Sequence, residues 1–287
     1  NPLLRESGGK ENYAITSVMA QLIFGAASFI SPLVYSWLVT NMGDTQNTNP
    51  IINFLLGVTP SNMSWISIYW IFSVFSLIMV TLIFLIKIPK VELNEDEKVG
   101  TKDSYISLFK NKTVILFFFG IFAYVGVEQG ISYWMSKFLQ TYHGYDYETV
   151  GASAVANFWG LMTVGGIIGL IILKFLDSKL LLKLFTSLAI ICLIIALFGS
   201  AENSLYGFQA SGFFLSVMYP VIFSLALNSL DNHHGAFAGI LVSGIMGGAV
   251  VQILIGFISD LTSLKIGMFF NFVLLAYILS IGFWAKP

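Results

Sequence analysis

The chain has 287 residues, of which 56% are apolar and 10% charged, with 14 Lys and Arg balanced by 15 Asp and Glu. So few charges cannot cover the surface of a soluble domain of this size, and the near-zero net charge argues against a nucleic-acid partner. Cys192 is the single cysteine, so neither a disulfide framework nor a zinc pattern exists.

This composition fits a membrane protein. Apolar runs of about 20 residues, the length that crosses the hydrocarbon core, recur along the chain. In order they cover residues 13–39, 65–86, 113–136, 150–173, 180–199, 205–230, 236–259 and 265–285. The runs are continuously apolar instead of alternating at every second residue, which selects helices over a β-barrel. The expected fold class is therefore all-α, a polytopic helical bundle. Pro32 and Pro220 fall inside spans and predict kinks rather than ends. The chain opens on Asn1 with no basic segment leading into a short apolar one, so no signal peptide is visible. It is read as beginning within a longer protein.

Lys and Arg in the connections set the orientation. Placing the N-terminal stretch in the cytoplasm collects Arg5, Lys10, the lysines from Lys87 to Lys112, Lys174, Lys179, Lys183 and Lys286 on that side. Only Lys137 and Lys265 fall on the other. The asymmetry predicts an even number of spans with both ends of the chain inside.

The connections divide the spans unevenly. A charged segment, residues 87–112, separates two spans from six, whereas the other cytoplasmic connections are short. Many transporters join two six-span halves through a longer cytoplasmic linker, each half being an inverted pair of three-span repeats. On that pattern residues 1–86 are the last two spans of one half, residues 87–112 the central linker, and residues 113–287 a complete second half. An internal echo between "IFGAASFISPL" in the first span and "IMGGAVVQILI" in the seventh agrees with this division. Gly165, Gly166 and Gly169, then Gly244, Gly247 and Gly248, recur at helical spacing and are expected to let helices pack closely.

The segments "NPLL", "TSVMAQLIFGAASFISPL", "FAYVGVEQGISYWMSKFL", "YPVIFSLALNSL" and "VSGIMGGAVVQILIGFISDL" touch most spans. Through them the chain resembles the major facilitator superfamily and, within it, the fucose:proton symporter family of bacterial sugar permeases. The resemblance implies a twelve-helix permease of the bacterial inner membrane, of which about eight helices are present, coupling sugar uptake to protons. Glucose, galactose and fucose are the kind of hexose or deoxyhexose implied. Two features depart from the family. It places an acidic residue before the Asn-Pro pair and another early in the first span, and this chain has neither. Where the family often carries an Arg after a glycine in its eighth helix, this chain reads Gly166-Ile167-Ile168.

Within "FAYVGVEQGISYWMSKF", Glu128 is the one charged side chain between Lys112 and Lys137. A carboxylate inside a span is costly unless it meets the bundle interior, a partner or water, so it marks a functional position by default. On a helix starting near Thr113 it lies about 22 Å along the axis, past the midplane. Tyr124 and Ile131 share its face and Gln129 adjoins it. Two readings stay open: a substrate- or proton-binding carboxylate, or a structural hydrogen bond to another helix.

A neutral sugar needs amides and carboxylates for its hydroxyls and aromatic faces for its ring. Gln21, Gln129, Asn157 and Gln252, with Tyr124, Tyr133, Trp134 and Trp159, offer that chemistry. The candidate substrate or proton site is thus Glu128, Gln129, Gln21, Asn157, Trp159, Tyr124 and Gln252, with Trp134 read as an interfacial anchor. Asn228, Asp231, His233 and His234 read as a hydrophilic turn rather than a metal site. No catalytic constellation or phosphate-cradling loop stands out. No cofactor is expected, and the partners expected are a sugar, a proton and the bilayer, with the protein monomeric. Two function classes remain: a secondary active transporter, and a membrane-embedded enzyme or flippase handling lipid-linked sugars. The outer connections carry few charges for enzyme chemistry, which favours the transporter.

Overall fold

The computed structural model describes residues 2–43, 49–60, 62–86, 102–230 and 233–285; the side chains of residues 2–21 and 102–104 lie outside the described set. Among the described residues there are helices and no strands, and eight stretches are long and apolar enough to cross a membrane. The all-α expectation holds.

The first span is α1 (Pro2–Met42). Pro32 withholds the N–H that would meet the Ser28 carbonyl, yet the helix continues through it. A short helix follows, α2 (Pro50–Val58), which no sequence signal of a span marks because nine residues cannot cross a bilayer. Its start is nonetheless written locally. The Asn49 side chain accepts from the Ile51 amide, and Pro50 occupies the first turn, where a missing N–H costs nothing. Ile52 and Leu55 pack with Leu38 of α1 and with Ile68 of the second span, α3 (Ser67–Leu85), into a small separate core.

The predicted linker, residues 87–112, contains a further helix, α4 (Lys102–Phe109), before α5 (Lys112–His143). Asn111 caps α5 by accepting from the Thr113 amide at 2.9 Å. The helix stops at Gly144, whose φ of 70° lets its amide reach the Gln140 carbonyl. A side chain there would be strained. Asp146 then accepts from both the amide and the hydroxyl of Thr149, which hold its carboxyl below the ordinary carboxylate range. These bonds open a π-helical turn, Tyr147–Gly151, that leads into α6 (Ala152–Ile172).

The fifth span is α7 (Ser178–Phe198), capped by Asp177. The sixth and seventh spans are broken. The sixth comprises α8 (Ala201–Leu215) and α9 (Met218–Asn228), with Pro220 in the first turn of α9. Pro220 therefore sits at a break between two helices and not in the expected kink. The seventh comprises α10 (His234–Ser243), a 3-10 turn over Gly244–Met246, and α11 (Gly247–Leu261). The last span runs through α12 (Leu264–Met268) into α13 (Phe270–Trp284).

Helix α5 is the most enclosed element, and the core of the six later spans is continuous around it. Phe117, Phe138, Phe158, Phe208 and Phe237 are its largest fully buried side chains. The glycines expected to bring helices together do so. A Cβ on Gly165 would lie 2.5 Å from the Phe213 carbonyl oxygen, and one on Gly169 would run into Val217, so α6 approaches the α8–α9 span closely. A Cβ on Gly244 would lie 3.0 Å from the Phe118 carbonyl oxygen, and one on Gly247 would overlap that of Phe122. Gly166 differs, having nothing within 4 Å of the same position. Helix α1 lies antiparallel along α6, with Gly25 against Thr163 and Gly160 against Phe29.

Candidate functional site

A cavity of about 520 Å³ opens between α1, α5, α6, α9 and the 3-10 turn of the seventh span. Its polar groups come mainly from α5, which contributes Tyr124, Glu128 and Gln129. The 3.6-residue period stacks Tyr124 and Glu128 one turn apart and brings the Tyr124 hydroxyl beside the Glu128 carboxylate. Glu128 is half-buried, so it has both a phenol partner and an open face. Gln129 fits beside it because Gly248 has no side chain; a Cβ there would stand 2.9 Å from Gln129 Cγ.

Aromatic rings form the other walls. Trp159 of α6 meets Phe24 of α1 edge to face, with ring centroids 6.4 Å apart. Tyr219 of α9 lies against Tyr124 at 5.8 Å and stacks on Phe223 at 5.8 Å. Ser216, Tyr219 and Pro220, at the break in the sixth span, line the cavity, as does Ile245 in the broken seventh. Both interruptions therefore fall at cavity level, where irregular backbone inside a membrane is tolerated because it borders a cavity and packed protein.

The structure brings Glu128, Gln129, Tyr124 and Trp159 of the expected set together. Asn157 is exposed and does not line the cavity: two residues before Trp159, it is turned about 200° around the same helix. Gln252 does not line it either, and its backbone carbonyl instead accepts from the Trp134 indole at 3.3 Å. The Gln21 side chain lies outside the described residues, next to Leu22, which does line the cavity. Tyr133 and Trp134 belong to a different recess. Tyr219, Thr163 and Ser216 were not anticipated as site residues. The signal for Tyr219 was present, an aromatic ring beside a proline within a span. Among the described residues, no group of three or more His, Cys, Asp or Glu could hold a metal.

An all-α bundle with eight stretches long and apolar enough to cross a membrane, enclosing a cavity lined by a carboxylate, an amide and aromatic rings, is a multi-pass membrane protein. Residues 2–248 match the model of the Major Facilitator Superfamily, and the chain belongs to that family. It is 32% identical over 206 residues to the glucose/galactose transporter of Brucella abortus biovar 1 (strain 9-941), covering 71% of this chain and 50% of that protein. It is 25% identical over 279 residues to the glucose/mannose transporter GlcP of Bacillus subtilis (strain 168), covering 88% of this chain and 68% of that one. The chain thus spans half the length of the Brucella relative. Among solved structures, the E. coli fucose:proton symporter FucP matches with a TM-score of 0.67 at 18% identity, over 98% of this chain and 70% of that chain. Another structure of FucP, in the outward conformation, gives 0.68 at 19% identity over 100% of this chain and 72% of that one. The family resemblance and the helical fold read from the sequence are borne out.

Proposed function

We propose that the chain is the larger part of a secondary active transporter that couples the uptake of a neutral sugar to protons by alternating access. The observation that carries this reading is the cavity itself. It joins an ionisable group, Glu128, to an amide and to the rings of Tyr124, Trp159 and Tyr219 within the membrane-crossing part of the bundle. An ionisable group in that position marks a proton path, and amide plus rings suit a pyranose. The Brucella glucose/galactose transporter, the Bacillus glucose/mannose transporter and the fucose:proton symporter with the same fold support it.

In this reading residues 1–86 complete one half, residues 87–112 link, and residues 113–287 form the other half. The separation of the small core at α2 from the core around α5 supports the division. The protein acts as a monomer in the bacterial inner membrane, with both ends of this chain in the cytoplasm. Glu128, Gln129, Tyr124, Trp159 and Gln21 handle sugar or proton, joined by Tyr219, and the reaction is transport without enzyme chemistry.

Uptake of glucose, galactose, mannose or fucose by cells expressing the full-length protein is expected to collapse when a protonophore is added. Accumulation of every transported hexose persisting in its presence would defeat proton coupling. The topology has its own test. Cysteines placed at Asn47 and Asp96 should react with an impermeant maleimide from opposite sides of the membrane, position 47 from outside intact cells. Equal labelling of both positions from one side would overturn the orientation.

A further inference from the structure

We propose that the end of the bundle where α5 finishes carries a second saccharide-binding recess, distinct from the central cavity, on which a neutral hexose docks before it enters. The inference rests on the transport reading above. The recess has a volume of about 490 Å³ and shares no lining residue with the central cavity. The last turns of α5 supply Tyr133, Trp134, Lys137 and Gln140, and the turn into α6 supplies Asp146, Tyr147 and Glu148.

These groups combine the two surfaces that a pyranose requires. Three aromatic rings can stack on the C–H face of the sugar, and the carboxylates, amide and ammonium supply acceptors and donors for its hydroxyls. Two carboxylates and one lysine line the recess, a balance that disfavours a phosphate or a carboxylate, while Lys137 offsets part of the pull on a cation.

Part of the recess is held in place before any ligand arrives. The Trp134 indole N–H donates to the Gln252 carbonyl, and its ring lies over Gly256, where a Cβ would come within 3.1 Å of Cζ2. Tyr133 meets Trp134 edge to face with centroids 5.2 Å apart, and stays 59% exposed and free to receive a sugar face. Lys137 Nζ donates to Gln140 Oε1 at 3.0 Å. Plain interfacial anchoring accounts for an aromatic ring and a lysine at this depth. It does not account for Glu148 beside three rings, and Asp146, which caps the turn into α6, brings a second acid to the same place. Helix α1 also packs on the Tyr147–Gly151 turn, so the recess adjoins the α1–α6 seam that bounds the central cavity.

The test uses the full-length carrier in lipid nanodiscs, with saturation-transfer NMR from its aromatic protons to D-glucose and D-galactose. Gly166→Trp fills the central cavity, into which a Cβ at this position projects with nothing within 4 Å, and leaves the recess intact. The signal is expected to persist in Gly166→Trp and to fall at least threefold when Tyr133→Ala and Glu148→Gln are added. In the full-length carrier that outer pair alone should raise KM at least threefold with kcat unchanged. Should the pair impair folding by thermal melting, Glu148→Gln alone, at an exposed position, carries the same comparison. A signal abolished by Gly166→Trp alone, or indifferent to the outer substitutions, overturns the recess while the transport reading stands. No signal from any hexose in the unsubstituted full-length carrier defeats the transport reading first.

Discussion

Replacing Glu128 with Gln is expected to abolish concentrative uptake while sugar exchange across the membrane continues. Glutamine keeps the size of the side chain and can still accept from the Tyr124 hydroxyl, but it carries no exchangeable proton. A proton moved through 100 mV contributes about 2.3 kcal/mol, which at about 1.4 kcal/mol per tenfold supports roughly 50-fold accumulation. If Glu128 is the group through which that proton passes, the variant equilibrates sugar to a ratio of about one, and the dependence of uptake on external pH flattens. Accumulation, counterflow and thermal stability measured on one preparation separate the alternatives. A merely structural carboxylate, worth about 0.6 to 2 kcal/mol as an interhelical bond, would lower stability and leave accumulation intact. An unaltered transport profile removes Glu128 from the site.

The second large effect is on stability. Gly247→Ala is expected to lower the melting temperature by roughly 2 to 5 °C, whereas Gly166→Ala leaves it within about 1 °C. A Cβ at position 247 overlaps the Phe122 carbonyl oxygen and lies 2.8 and 2.9 Å from the backbone carbon and Cα of the same residue. Backbone cannot rotate aside as a side chain can, so α11 has to withdraw from α5, at an overpacking cost of about 1–3 kcal/mol. At position 166 the same methyl group meets open cavity. Equal melting of the two variants in a thermal scan would show that the α5–α11 seam yields freely.

The spans were legible because the bilayer demands about 20 apolar residues, and nothing else in the chain satisfies that demand. Helix α2 escaped because its nine residues are too few to span, although Asn49 and Pro50 wrote its beginning plainly. The breaks in the sixth and seventh spans escaped for another reason. They follow from how Pro220 and the glycines of the seventh span meet their neighbours, and hydropathy does not register this. Glu128 stood out because a lone acid in an apolar helix has few places to go, and helical spacing then carried Tyr124 and Gln129 with it. Asn157 illustrates the limit. Helix α6 is apolar on nearly every side, so its rotation about its own axis cannot be read from the pattern, and two residues decide between facing the cavity and facing away.

The four-residue core shared by α1, α2 and α3 bears on how the protein is made. Leu38, Ile52, Leu55 and Ile68 lie close together in the chain, so this cluster can form as soon as α3 has been synthesised. The partner that seats Gly25 and Phe29 is different, since Thr163 and Gly160 belong to α6. At about 5–20 residues per second, the ribosome needs roughly 7 to 30 seconds to travel from one side of that contact to the other. For that interval the α1–α3 hairpin stands in the bilayer with its contact to α6 unmade, its spans kept apolar for the lipid and joined at one end by four side chains. Docking onto α6 is then a lateral association of already inserted helices, governed by glycine-lined fit rather than by any further transfer out of water.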